Sequence, residues 1–107
     1  MSFRPITTVI QPLRLRNFPT VTTQAVTGVD TDSGEGNGTL VNKGGSAISA
    51  RGFVYSSSVT NPTLADSVVV EGGTATGTFT ATIGSLAAST TYYVRAYATN
   101  AIGTGYG

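Results

Sequence analysis

Six basic and five acidic side chains are all the formal charge that this 107-residue sequence carries, and it contains neither histidine nor cysteine. Without those two residue types, the commonest metal ligands and the side chain best suited to proton transfer near neutral pH are missing, as is any disulfide framework. What chemistry remains must come from carboxylates, hydroxyls and backbone. Asp30, Asp32 and Gly34, followed by Glu35 and Asn37, have the spacing of the start of a calcium loop. Such a loop needs a bidentate acid at its twelfth position, where counting from Asp30 gives Val41. The segment therefore reads as an Asp-rich turn with side-chain bonds to backbone, and neither metal nor cofactor is expected. Gly34-Glu35-Gly36-Asn37-Gly38 has no Lys-Ser/Thr pair and no following helix, both of which a phosphate-binding loop requires. Glycoside hydrolysis would need two opposed carboxylates. Asp30, Asp32 and Glu35 share one loop and Asp66 and Glu71 flank another strand, so no such pair is evident and the chain reads as non-enzymatic.

Arg51, Tyr93, Arg95 and Tyr97 are the side chains best suited to binding a partner or a glycan, through aromatic stacking and cation–π contact on the solvent face of a sheet. Cross-strand Arg–Tyr pairing explains the same residues without a ligand. A nucleic-acid binder shows a concentrated basic face, and six basic residues in the whole chain are too few for one, so no nucleic-acid partner is expected. No apolar run approaches the roughly 20 residues of a membrane span.

The elements that would position these residues are strands. From Leu86 to Thr99 the even positions Leu86, Thr90, Tyr92, Val94, Ala96 and Ala98 alternate with more polar odd ones, the period of a strand with one buried face. Similar runs predict strands over Thr20–Val26, Gly36–Asn42, Ala47–Ser56, Ser67–Glu71, Thr76–Ile83 and Thr91–Thr99. Turns are predicted at Asp32–Gly34, Lys43–Gly45, Asn61–Pro62 and Gly72–Gly73. No segment keeps a helical period. The reading is an all-β antiparallel sandwich over residues 19–107, preceded by an extended arm over residues 1–18.

The segments Pro19-Thr20-Val21-Thr22-Thr23, Arg51-Gly52-Phe53-Val54-Tyr55-Ser56 and Thr91-Tyr92-Tyr93-Val94-Arg95-Ala96-Tyr97-Ala98-Thr99-Asn100 resemble fibronectin type III-like, immunoglobulin-like repeats of bacterial surface proteins and phage structural proteins. The resemblance implies an immunoglobulin-like fold and makes Tyr92 a tyrosine corner, a buried ring whose hydroxyl bonds to backbone a few residues upstream. Two departures stand out. The strand-B tryptophan of animal fibronectin domains is missing, and only Thr104-Gly105-Tyr106-Gly107 remain for a last strand, which predicts an open edge beside the Thr91–Thr99 strand.

The arm is the second unusual element. It holds three arginines and no acid, a charge of +3 against −2 for residues 19–107. Pro5 and Pro12 restrict it to extended conformations, and Ile6, Val9, Ile10, Leu13 and Leu15 interleave with Arg14 and Arg16. It reads as an assembly element that pairs with a neighbouring copy or another subunit; the alternatives are an arm folded back on its own body and a disordered leader. Arg4, Pro5, Gln11, Pro12 and Arg14 interrupt any signal-peptide core, so synthesis in the cytoplasm is expected unless a longer precursor has been trimmed. Together with the resemblance, these features imply a capsid-decoration module of a phage virion, docking through its arm onto other structural subunits or copies of itself. A bacterial cell-surface or secreted adhesion module, binding a host-surface glycan, is the second expectation.

Overall fold

The computed structural model describes residues 17–107. The arm residues Ile6, Val9, Ile10, Leu13, Arg14, Leu15 and Arg16 lie outside the described residues. Seven strands follow: β1 (Thr20–Thr27), β2 (Gly34–Asn42), β3 (Ala50–Ser56), β4 (Ser67–Val70), β5 (Gly77–Ile83), β6 (Tyr93–Thr99) and β7 (Thr104–Tyr106), with no helix among the described residues. They form two antiparallel sheets, β1-β2-β5 and β4-β3-β6-β7.

The core between the sheets rests on a size match. Phe53 and Phe79 meet with ring centroids 5.2 Å apart, and the positions facing them are the smallest available. On β2 the inward residues are Gly34, Gly36, Gly38 and Leu40. A Cβ at Gly36 would lie 2.9 Å from the Phe53 ring, and one at Gly38 would lie 2.7 Å from Cβ of Ala96. Glycine normally weakens a strand; here it makes room for two aromatic rings, and Val21, Leu40, Ile48, Ile83, Ala96 and Ala98 close the core around them.

The second sheet is also covered on its outer face. Val54, Pro62 and Tyr97 are buried, although Val54 and Tyr97 point away from the core. The β3–β4 connection folds across them. Leu64 N–H donates to the Tyr106 hydroxyl at 3.1 Å, and Arg95 donates from Nη1 to Pro62 O at 3.3 Å while its guanidinium lies 4.4 Å above the Tyr106 ring.

Six strand boundaries move relative to the sequence pattern: β1 ends at Thr27 rather than Val26, β2 begins at Gly34 rather than Gly36, β4 ends at Val70 rather than Glu71, β5 begins at Gly77 rather than Thr76, and β3 and β6 begin later. β3 begins at Ala50 rather than Ala47, although Ile48 still packs in the core and Ser49 N–H bonds to Thr99 O. β6 begins at Tyr93 rather than Thr91, because the preceding residues belong to a loop. The expectation of an open β6 edge is corrected over half its length. β7 pairs with Tyr97, Ala98 and Thr99, and Gly107 N–H donates to Ala96 O at 2.8 Å. There β1 takes over, with Ala96 N–H donating to Thr23 Oγ1 at 2.9 Å. Gly105 and Gly107 allow this approach, since a Cβ at Gly105 would strike the Pro19 carbonyl just before β1, and one at Gly107 the β1 backbone and the Thr23 hydroxyl.

At the far end of the seam Asn100 is buried and fully bonded. Its amide donates to Asn17 O and Lys43 O, both at 2.9 Å, and its Oδ1 accepts from Ile102 and Gly103 N–H. One side chain thus fixes the β6–β7 turn, the β2–β3 turn and the start of β1.

The core argument predicts that Gly38→Ala, which puts a Cβ into occupied space, lowers stability by about 1–3 kcal/mol. Gly84→Ala, where nothing lies within 4 Å, should stay within about 0.5 kcal/mol of the parent. Urea unfolding of the two variants makes the comparison.

Candidate functional site

Two concavities open at the pole of the sandwich opposite Asn100, separated by the connection between β5 and β6. Ser85 and Ser89 in this connection adopt left-handed backbone, with φ of 58° and 55°. Such conformations cost about 1–3 kcal/mol each unless neighbouring contacts hold them, and they concentrate where a loop is held for binding. The holding contacts are visible. Leu86 N–H donates to Asp32 O at 2.9 Å, tying the connection to the β1–β2 turn. The Tyr92 phenol accepts from Ala87 N–H at 2.9 Å, five residues back, and its half-buried ring sits edge-on to Tyr55 at 6.3 Å.

The first concavity, about 420 Å³, lies between the sheets where β1 and β6 diverge. Val26, Val29, Ile83, Leu86 and Val94 line it, with Asp30 at its rim. Thr31, Ser33, Ser89, Thr90 and Thr91 add hydroxyls to its lining. Along β6, Ala96 turns its N–H toward the Thr23 hydroxyl and its C=O toward Gly107.

The second concavity, about 560 Å³ and shallower, is polar: Ser56, Ser57, Ser67, Ser85 and Asp66 supply hydroxyls and a carboxylate, and Tyr55 and Tyr92 supply ring faces. No lysine or arginine lines either concavity, so the pole is acidic.

The sequence-derived partner surface is not assembled as expected. Arg51 lies on the inner side of β3, opposite Ala98, and Tyr97 is only 2% exposed beneath the β3–β4 connection. Tyr93 and Arg95 remain on the outer face, but Arg95 is engaged with Pro62 O, Gly107 O and the Tyr106 ring. The four residues do not form one exposed face. Burial and the neighbouring Tyr106 push the Tyr97 phenol above its usual range.

Arg51 plugs the edge of the core instead. Its guanidinium lies 4.7 Å over the Phe79 ring, and it binds Glu71 through Nε–Oε1 at 2.7 Å and Nη2–Oε2 at 3.2 Å. Nη1 donates to Ala75 O, and Gly73 leaves room for the guanidinium while donating its N–H to Glu71. The Arg51 bond holds the Glu71 carboxyl below its ordinary value against the opposing effect of burial. The Asp-rich turn is self-contained: Asp30 Oδ1 accepts from Thr31 N–H, and Asp30 N–H bonds to Ser33 O. Among the described residues no three His, Cys, Asp or Glu side chains group as metal ligands, and no helix is long and apolar enough to cross a membrane.

Comparison with protein-family models, with curated proteins and with solved structures finds no match. The site is therefore interpreted from its own geometry.

Because the Glu71 pKa is lowered by folding, the stability it contributes is present above its unfolded value and is lost as pH falls through the folded one. Glu71→Gln should cost about 1–3 kcal/mol at pH 7, and the gap to the parent should close in acid below the ordinary carboxylate range. Unfolding midpoints from pH 7 to pH 2.5 test this, and a gap independent of pH would contradict it.

Proposed function

We propose that this chain is a non-enzymatic structural protein of a phage particle, a surface or decoration module that docks through its N-terminal arm onto other structural subunits or copies of itself. The observation that carries the reading is the charge split of the sequence, +3 over residues 1–18 against −2 over residues 19–107. The same basic segment holds Ile6, Val9, Ile10, Leu13 and Leu15, residue types suited to pairing with a sheet edge. The strand order β1-β2-β5 against β4-β3-β6-β7 supports an immunoglobulin-like, fibronectin III-like arrangement. Phage origin rests on the resemblance of the β3 and β6 sequences.

A second reading, a cell-surface or secreted adhesion module, is favoured by the polar concavity, whose serines, Asp66 and tyrosine rings suit the hydroxyls and apolar faces of a sugar.

Deleting residues 1–16 keeps the Asn17 carbonyl that Asn100 binds. The shortened protein should remain folded, with an unfolding transition close to the parent, and should lose the higher-order species that the full chain forms in light scattering and electron microscopy. Equal assembly by both proteins would reject docking through the arm, while a full chain that stays monomeric and retains a glycan on an array would favour adhesion.

A further inference from the structure

We propose that the polar concavity between the β3–β4 and β5–β6 connections binds a neutral sugar, with Asp66 and Ser85 taking its hydroxyls and the Tyr55 and Tyr92 rings taking its apolar face. This inference rests on the adhesion reading, which it deepens, and is independent of docking through the arm.

The first observation is how Asp66 is held. Its Oδ2 accepts from Thr63 N–H at 2.8 Å, its own N–H donates to Thr63 O at 2.9 Å, and Ala65 N–H donates to the Thr63 hydroxyl at 3.2 Å. The same turn is anchored to the body by Leu64 N–H, which donates to the Tyr106 hydroxyl. Oδ2 is thus committed to the turn, while Oδ1 accepts from no donor among the described residues. A carboxylate fixed in this way offers an acceptor without the entropy cost of ordering a loose side chain.

The second is Ser85. It is exposed and follows Gly84, yet the left-handed backbone, with φ of 58°, falls on the serine. Glycine adopts that conformation at no steric cost, so a serine there points to a use for its side chain. Leu86 N–H, bonded to Asp32 O, holds Ser85 on the wall that it shares with Asp66 and Ser67.

The third is the pair of rings. Tyr55 and Tyr92 lie 6.3 Å apart at 61°, which makes a corner rather than a flat platform. The Tyr92 oxygen already accepts from Ala87 N–H, which leaves its proton to donate. An apolar corner, a phenol donor, a carboxylate acceptor and serine hydroxyls that do either match a pyranose, whose C–H patches lie beside hydroxyls that both donate and accept.

Charge selects among ligands. The only formal charge lining the concavity is the Asp66 carboxylate, so sialylated, sulfated or phosphorylated sugars meet no counter-charge and one like charge. An organic cation would use the carboxylate and the rings but leave the serines idle. The volume of about 560 Å³ lies within the range of small-molecule sites, and the shallow opening admits a sugar that is part of a longer chain.

Proton–nitrogen correlation spectra of the full chain test the site, with methyl glycosides of glucose, galactose, mannose and N-acetylglucosamine added singly and with sialyllactose and choline as charged probes. At least one neutral glycoside should shift the Asp66, Ser67, Ser85 and Leu86 amides saturably at millimolar concentration. Ser85→Gly keeps the backbone conformation and removes the hydroxyl; Asp66→Asn keeps an acceptor for Thr63 N–H and removes the charge. Each should weaken that glycoside about three- to tenfold, the loss of a hydrogen bond, with the remaining amides unmoved. Saturable shifts confined to other amides, preference for sialyllactose or choline, or unchanged affinity in both variants would overturn this site and leave adhesion through another surface standing. No saturable shift from any probe up to about 100 mM would overturn the site as well, and if the protein also retains no glycan on an array, the adhesion reading falls with it.

Discussion

Backbone N–H and C=O groups in a sheet need partners, and on the two sides of β6 they are treated unequally. On one side β3 pairs with all seven residues from Tyr93 to Thr99. On the other, β7 is three residues long and reaches only from Thr99 to Tyr97. Gly107 and the Thr23 hydroxyl extend the satisfaction to Ala96. The register of this seam is set by the turn that Asn100 locks with four hydrogen bonds. The cleft and the braced β5–β6 connection lie at the opposite pole.

Elsewhere the fold closes tightly. Glycines on β2 bring the sheets together around two phenylalanines, Arg51 and Glu71 seal one edge with a bidentate pair over Phe79, and the β3–β4 connection covers Val54 and Tyr97. Against that background the cleft lined by Val26, Ile83, Leu86 and Val94 is where the two sheets part.

Much of the strand layout was legible in the sequence, because period-two alternation reports burial directly. Thr20, Asn42, Ser56, Ser67, Ile83 and Thr99 are strand ends in both the pattern and the structure. The pattern misled where burial was not one-sided. Tyr97 and Val54 occupy outward positions, which alternation assigns to solvent, but a distant serine- and proline-containing connection covers them. Arg51 occupies an inward position, which charge argues against, and is accommodated because Glu71 and Phe79 come to it from other strands. Both are long-range effects that no local window contains. The glycine-rich stretch from Gly34 to Gly38 is a strand interior whose alternation is by size, with glycine as the inward residue. The site was half visible: Tyr92 could be picked out from its place in the alternating run, whereas the cleft depends on how the β1–β2 turn and the β5–β6 connection meet, which no local window contains.

The account makes Asn100 the residue that sets how β7 and the start of β1 meet β6. Amide hydrogen exchange read residue by residue, on the parent and on Asn100→Ala, tests this most directly. The Gly107 and Ala96 amides, bonded to Ala96 O and Thr23 Oγ1 across the seam, should lose protection in the variant while the β2–β5 ladder keeps its own. Equal protection of both seam amides in the two proteins would contradict it.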